Sequence, residues 1–155
     1  MNHPVDSIVG CWRLKSIDRR SGTAADDNPF GPNPVGYLIY TDTGHMTEDF
    51  MRAERPDTRT SVGAKLDDAS LAAAARGYHS YCGRYEARGN QIYHYVEASL
   101  IPDEVGTGKV REMLLTADSL TLVVHRNDDP DSWSNDTAIA RVSWLRCHPT
   151  GDGTS

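Results

Sequence analysis

The sequence predicts a mostly β chain that folds as a single eight-stranded antiparallel barrel, with one helix between the third and fourth strands. Three observations carry that prediction. Eight short segments rich in β-branched and aromatic residues are separated by turn and loop residues at hairpin spacing. One stretch, around Ala72 to Ala75, has the composition of a helix. The chain is 155 residues, about one domain long, and it contains no repeat that would make a solenoid or propeller. Eight hairpin-linked strands left as an open sheet would present two edges, and closure removes both.

The first strand is expected over 8–18, followed by a polar loop rich in Asp, Pro and Gly over 19–34. Gly36-Tyr-Leu-Ile-Tyr-Thr41 reads as the second strand, Asp42-Thr-Gly44 as a tight turn, and 45–51 as the returning strand of a hairpin. A second loop over 52–65 carries Arg55-Pro56 and few apolar residues. In the helix that follows, Asp67 or Asp68 can cap, and Leu71, Ala75 and Tyr78 share a face at i, i+4, i+7; Gly77 limits its length. Strands resume over 80–87, turn at Arg88-Gly89-Asn90 and continue over 91–99. Segments 110–116, 120–125 and 138–147 complete the eight, with an Asp/Asn-rich loop over 127–136. The domain is bounded at 7–148, and 1–6 and 149–155 read as flexible termini.

Composition and motif searches remove several function classes. With 16 Lys+Arg against 22 Asp+Glu, the net charge of −6 argues against nucleic acid as a partner. No apolar run approaches the ~20 residues that span a bilayer, and the N-terminal residues lack a basic start and an apolar signal core, so no membrane partner and a cytoplasmic location are expected. Cys11, Cys82 and Cys147 form no CxxC pair and suit reduced thiols, although Cys11 and Cys147 come together if the first and last strands pair. No zinc spacing, GxGxxG or Gly-x-Ser-x-Gly is present, and no metal site is expected. Gly106-Thr-Gly-Lys109 lacks the first Gly and the final Ser/Thr of a phosphate loop.

Strand alternation sorts the remaining residues into two faces. Trp12, Leu14 and Ser16 fall together, as do Leu38 and Tyr40. On the third strand either face carries a carboxylate, Glu48 or Asp49; Glu48 is favoured inside because Met46 and Phe50 flank it. Tyr81, Gly83 and Tyr85 share a face, and so do His94, Val96, Ala98 and Leu100. Arg111 alternates with Met113 and Leu115, and Trp144 with Ala140 and Val142. The inferred lining is apolar and aromatic with isolated polar groups, which is the composition of a small-molecule site. Trp12 reads as a plug at one end, stacked by Arg146 or Arg141, and Arg111 as either an ion-pair partner of Glu48 or a ligand contact.

An ordered set of motifs resembles the bacterial and fungal lipocalin-like domain family. It comprises Gly10-Cys11-Trp12, Asn33-Pro-Val-Gly-Tyr-Leu-Ile-Tyr40, Gly44-His-Met46, Met51-Arg52 with Arg55-Pro56, and Tyr81-Cys-Gly-Arg-Tyr85. It continues through His94-Tyr-Val-Glu97, Ser99-Leu-Ile-Pro102, Val105-Gly106, Val110-Arg111 and Trp144-Leu-Arg146, so that it spans about 8–146. The resemblance implies a lipocalin-type barrel with a central cavity, a fold that serves carriers as well as cyclases and isomerases of secondary metabolism. Haem-binding barrels with a Gly-x-Trp start need an axial His near the last strands, and His125 and His148 sit in no matching motif.

The leading expectation is a cofactor-free barrel that binds one hydrophobic or aromatic small molecule and promotes isomerisation, cyclisation or dehydration in secondary metabolism. His94, Glu48 and Tyr85 are the catalytic candidates: His94 or Glu48 moves a proton, and Tyr85 with Tyr40 donates hydrogen bonds to a carbonyl or enolate oxygen. Tyr40, Arg111, Trp144, Phe50, Met46, Tyr81 and Met113 are the candidate ligand contacts, with Arg111 stabilising negative charge. Two alternatives stay open: a non-catalytic carrier of a lipophilic metabolite, and an accessory protein with a self-filled barrel. A homodimer is compatible with either.

Overall fold

Successive hairpins carry the chain around a closed antiparallel barrel in the computed structural model, which describes residues 8–19, 30–55 and 67–149. The strands are β1 (Gly10–Arg19), β2 (Val35–Tyr40), β3 (His45–Met51), β4 (Tyr78–Arg88), β5 (Gln91–Ser99), β6 (Gly108–Leu115), β7 (Ser119–His125) and β8 (Ala138–Arg146). Each pairs with its neighbours in sequence, and β1 pairs with β8 as well as β2, so the sheet has no free edge. The eight strands and the helix position match the expected architecture. The expected loop residues 20–29 and 56–66, and the tails 1–6 and 150–155, lie outside the described residues.

Turn chemistry sets the register at one end. Gly89 opens the two-residue β4–β5 loop at φ 59°, the sign that a tight hairpin turn requires at that position, and Arg88 then faces Gln91. Gly44 plays the equivalent part before β3 at φ 85°. Helix α1 (Asp68–Arg76) is capped by the Asp67 carboxylate, which accepts from the Ser70 backbone N–H at 2.8 Å. The face expected to be shared by Leu71, Ala75 and Tyr78 does not form. Leu71 is 49% exposed, no residue of α1 is buried, and Tyr78 opens β4 instead of extending the helix. Five of its nine residues are alanine, which supplies too little side chain for a helix face to gain much by burial.

Three bulges reset the inside–outside alternation, each where sequence periodicity runs on unbroken. In β1, Leu14 faces Trp144 but Ser16 faces Ser143, so Ile17 and not Ser16 packs against the core. In β5, Cys82 faces Ala98 while Gly83 faces Val96, leaving Glu97 unmatched. Ser99 therefore comes opposite Tyr81, and Ala98 and Leu100, expected inside, are exposed. Beside this bulge a Cβ on Gly83 would overlap the Tyr95 carbonyl oxygen. Gly83→Ala is accordingly expected to lower unfolding free energy by about 1–3 kcal/mol in a urea titration. The third bulge lies in β8, where Val124 faces Ala140 and His125 faces Ala138.

The core fills from one end of the barrel. Trp12, Leu38, Tyr40, Ile92, Leu120 and Trp144 are essentially without exposure. Trp12 donates its indole N–H to the Ile8 carbonyl at 2.9 Å, and the Arg146 guanidinium lies 4.1 Å from the centre of its ring. Arg146 also donates to the carbonyls of Val9 (3.0 Å) and Ala117 (2.6 Å), tying the start of β1 to the β6–β7 turn. This end is the floor. At the opposite end, the mouth, β1, β3, β5 and β7 end and β2, β4, β6 and β8 begin, with residues 100–107 and 126–137 joining strands there.

Candidate ligand site inside the barrel

Four strands contribute one residue each to a cluster that includes a buried histidine. Tyr40 ends β2, Glu48 is the middle residue of β3, Tyr81 comes early in β4 and His94 is central in β5. Register brings them together: Glu48 faces Tyr81 across β3–β4, and His94 faces Tyr85 across β4–β5. His94 is fully buried, with Nε2 2.7 Å from the Tyr40 hydroxyl and Nδ1 2.7 Å from the Tyr81 hydroxyl. Burial first, and then the charges of Arg111 and Lys109, push its pKa down to about 3. The ring is therefore neutral near pH 7: one nitrogen donates to one tyrosine, and the other accepts the second tyrosine's O–H.

Glu48 is 7% exposed, between Met46 and Phe50 on the interior face, whereas Asp49 points outward and accepts hydrogen bonds from the hydroxyls of Thr47, Tyr78 and Ser80. Desolvation raises the Glu48 carboxyl to about 7 against the opposing pull of Arg111 and Lys109, with a hydrogen bond from Tyr81 contributing least. Tyr40 and Tyr81 are held well above 10, by burial first and the Glu48 charge next, so both remain protonated donors. Tyr40, His94, Tyr81 and Glu48 thus form a polar chain through an apolar interior.

Two cations face this chain from β6. Lys109 lies opposite His94 and Arg111 opposite Ile92. Lys109 is committed: its ammonium pairs with Glu104 at 2.8 Å and sits 4.4 Å from the Tyr81 ring centre. Burial would raise Glu104, but hydrogen bonds from Lys109 and Ser99 keep it below the ordinary carboxyl value. Arg111 donates to the Val110 carbonyl at 2.9 Å and forms no ion pair with Glu48, so of its two readings the ion-pair one is not realised.

Aromatic rings continue the wall from mouth to floor. Phe30 contacts Phe50 at 4.7 Å between ring centres, Phe50 contacts His79 at 5.1 Å, and His79 contacts Tyr81 at 5.5 Å. Beyond His94, Tyr40 meets Tyr85 at 4.7 Å. Exposure is graded along this wall. His79, Lys109 and Arg111 keep partial exposure while His94 and Tyr40 have almost none.

The structure thus gathers Glu48, His94, Tyr40 and Tyr81, with the charge of Arg111 felt by all four. The Tyr85 hydroxyl is turned away and donates to the Thr41 carbonyl at 2.7 Å. Met46 and Met113 are packed in the core, Phe50 stands toward the mouth, and Trp144 is wholly buried toward the floor with its indole N–H unpaired among the described residues. His79 and Lys109 were not among the expected contacts. Alternation outward from Tyr81 and Arg111 reaches both, but the two strands were expected to begin two residues later, at 80 and 110. His125 lies on the outer face of β7, hydrogen-bonded to Thr137 and Glu112 and stacked at 4.4 Å on Trp133. Among the described residues no three His, Cys, Asp or Glu side chains come together to hold a metal ion, and no helix is long and apolar enough to cross a membrane. A separate cleft of about 380 Å³ opens at the mouth between β1 and β8, lined by Asp18, Arg19, Asn135, Ala138, Ala140 and Arg141, and does not include the His94 group.

Comparison with known proteins gives the following. The family model of a lipocalin-like domain matches residues 9–147. No curated protein matches the chain. Among solved structures, an uncharacterized protein from Bacteroides eggerthii aligns at 11% identity and TM-score 0.45, covering 90% of this chain and 99% of that one. A variant of the fluorescent protein UnaG aligns at 14% identity and TM-score 0.42, covering 92% of this chain and 98% of that one.

Proposed function

This chain belongs to the lipocalin-like domain family, and we propose that it takes one hydrophobic or aromatic small molecule into the barrel and moves a proton on it, without a cofactor. The outcome would be an isomerisation, cyclisation or dehydration of the kind used in secondary metabolism. The observation that carries this reading is Glu48, an interior carboxyl raised to about 7 with no ion-pair partner among the described residues. A group half-ionised near neutrality can take a proton from an acidic carbon and return it. Arg111 would offset negative charge growing on a carbonyl oxygen. His94, neutral and held at both nitrogens, acts as a positioning residue that fixes the two tyrosines, and Tyr81 supplies the hydroxyl nearest the carboxyl. The odd number of cysteines and the lack of a CxxC pair support a cytoplasmic setting.

The test uses small molecules extracted from the producing cell, incubated with the protein and its variants. Glu48→Gln is expected to slow product formation by about a hundredfold or more, because general acid–base catalysis is worth that much. Tyr85→Phe should leave the rate within about threefold, its hydroxyl being engaged by Thr41. The wild-type rate of proton abstraction should rise with pH around a midpoint of about 7, since the ionised carboxylate is the base. Turnover by Glu48→Gln at the wild-type rate would remove the carboxyl from the mechanism. A carrier without chemistry is the second reading, favoured by the satisfied tyrosine hydroxyls on His94. It requires ligand binding that survives Glu48→Gln and no turnover by the wild-type protein.

A further inference from the structure

Arg111 is an interior charge that the described residues leave unmatched. Its backbone position faces inward: Ile92, its cross-strand partner, has no exposure, and Met113, two residues along the same face, is in the core. The side chain is only partly exposed, yet a guanidinium carries five donors and this one commits a single bond, to the carbonyl of its own neighbour Val110. No carboxylate of the described residues stands within ion-pair distance of it; Glu104 is occupied by Lys109, and Glu48 is near enough to feel the charge without pairing. A cation drawn partly out of water with its fork unfilled is unfavourable unless something completes it.

We propose that Arg111 anchors an ionised acidic group, so that the molecule the barrel accepts is a lipophilic monoanion with its acidic end on Arg111 and its apolar body along the wall formed by Phe50, His79 and Tyr81. The proposal rests on the binding half of the function argued above and narrows it to a substrate class, with Arg111 holding the standing charge of the ligand in place of a charge that grows during reaction. The arithmetic of charge supports a single negative group. Lys109 and Glu104 cancel, which leaves one guanidinium facing one carboxyl that burial keeps about half protonated near pH 7. A carboxylate or sulfonate also matches the planar fork bidentately, which a neutral lipid cannot do.

Two fluorescent probes sharing one aromatic skeleton separate the contributions: anilinonaphthalene sulfonate, which is anionic, and phenylnaphthylamine, which is neutral. Each is titrated into wild type, Arg111→Gln and Arg111→Lys, with far-UV circular dichroism and the unfolding midpoint confirming that the variants are folded. Arg111→Gln is expected to weaken the anionic probe by about tenfold or more and the neutral probe by less than about threefold, the difference expected for a charge-assisted hydrogen bond. Arg111→Lys should fall between, keeping the charge but losing the fork. Saturable binding of both probes with the anionic one unaffected by Arg111→Gln would overturn the anchor and leave the barrel-binding reading standing. If wild type binds neither probe, both fall.

Discussion

Trp12→Ala is expected to lower the unfolding free energy by about 3–5 kcal/mol, the range for removing a fully buried large aromatic. The residue has no exposure, its N–H is used by Ile8, and Arg146 covers its ring at 4.1 Å. Alanine would leave a void under the Arg146 guanidinium, whose bonds to Val9 and Ala117 hold β1 against the β6–β7 turn. Trp12→Phe should lose less, about 1–2 kcal/mol, keeping most of the buried area while losing the Ile8 bond and the stronger cation–π partner. The measurement is urea denaturation of the three proteins at one pH. A Trp12→Ala loss under about 1 kcal/mol would contradict a packed floor and with it the assignment of mouth and floor.

Glu48→Gln is expected to stabilise the protein at alkaline pH and to change little in acid. The folded carboxyl titrates at about 7 against an ordinary value of 4.5, with burial the chief cause. Between those values the folded state keeps a proton that the unfolded chain releases, so wild-type stability falls as pH rises through the window. Above it the full cost of a buried carboxylate is present, about 3 kcal/mol for that gap. Glutamine does not ionise and escapes it. His94 works in the opposite sense: its folded value near 3 lies below the ordinary 6.5, so its contribution is complete above 6.5 and is lost as pH falls toward 3. Because His94 is common to both proteins, the difference between wild type and Glu48→Gln isolates the carboxyl. Unfolding titrations at about pH 4 and about pH 8.5 measure it, and a difference that did not grow with pH would mean Glu48 is solvated or paired.

These two residues also show where sequence reading succeeds and where it stops. Trp12 and Glu48 could be assigned to the interior because alternation holds unbroken through the start of β1 and through β3, and because apolar neighbours two residues away mark the buried face. Ser16, Ala98 and Leu100 were misplaced because a bulge inserts one residue without leaving a mark in hydrophobic periodicity. The α1 face was misjudged because alanine spacing suits a helix whether or not anything packs on it. Hydroxyl partners were less legible still. Tyr85 sits directly across from His94 in register, yet it is Tyr40 and Tyr81, on either side, whose hydroxyls reach the ring. A phenol extends well beyond its own Cβ, so its contact is set by barrel curvature, which no pattern along one strand encodes.

By itself, then, the sequence determined the eight strands, the position of the helix, closure of the barrel and the interior side of Glu48, His94 and Arg111, because each follows from period-two burial and local turn residues acting over a few positions. Only the tertiary structure decided that His94 is neutral between two tyrosines, that Glu48 has no salt bridge among the described residues and that Lys109, not Arg111, is already neutralised. Those properties depend on distances between strands far apart in the chain and on how much water the closed sheet excludes from the space between them.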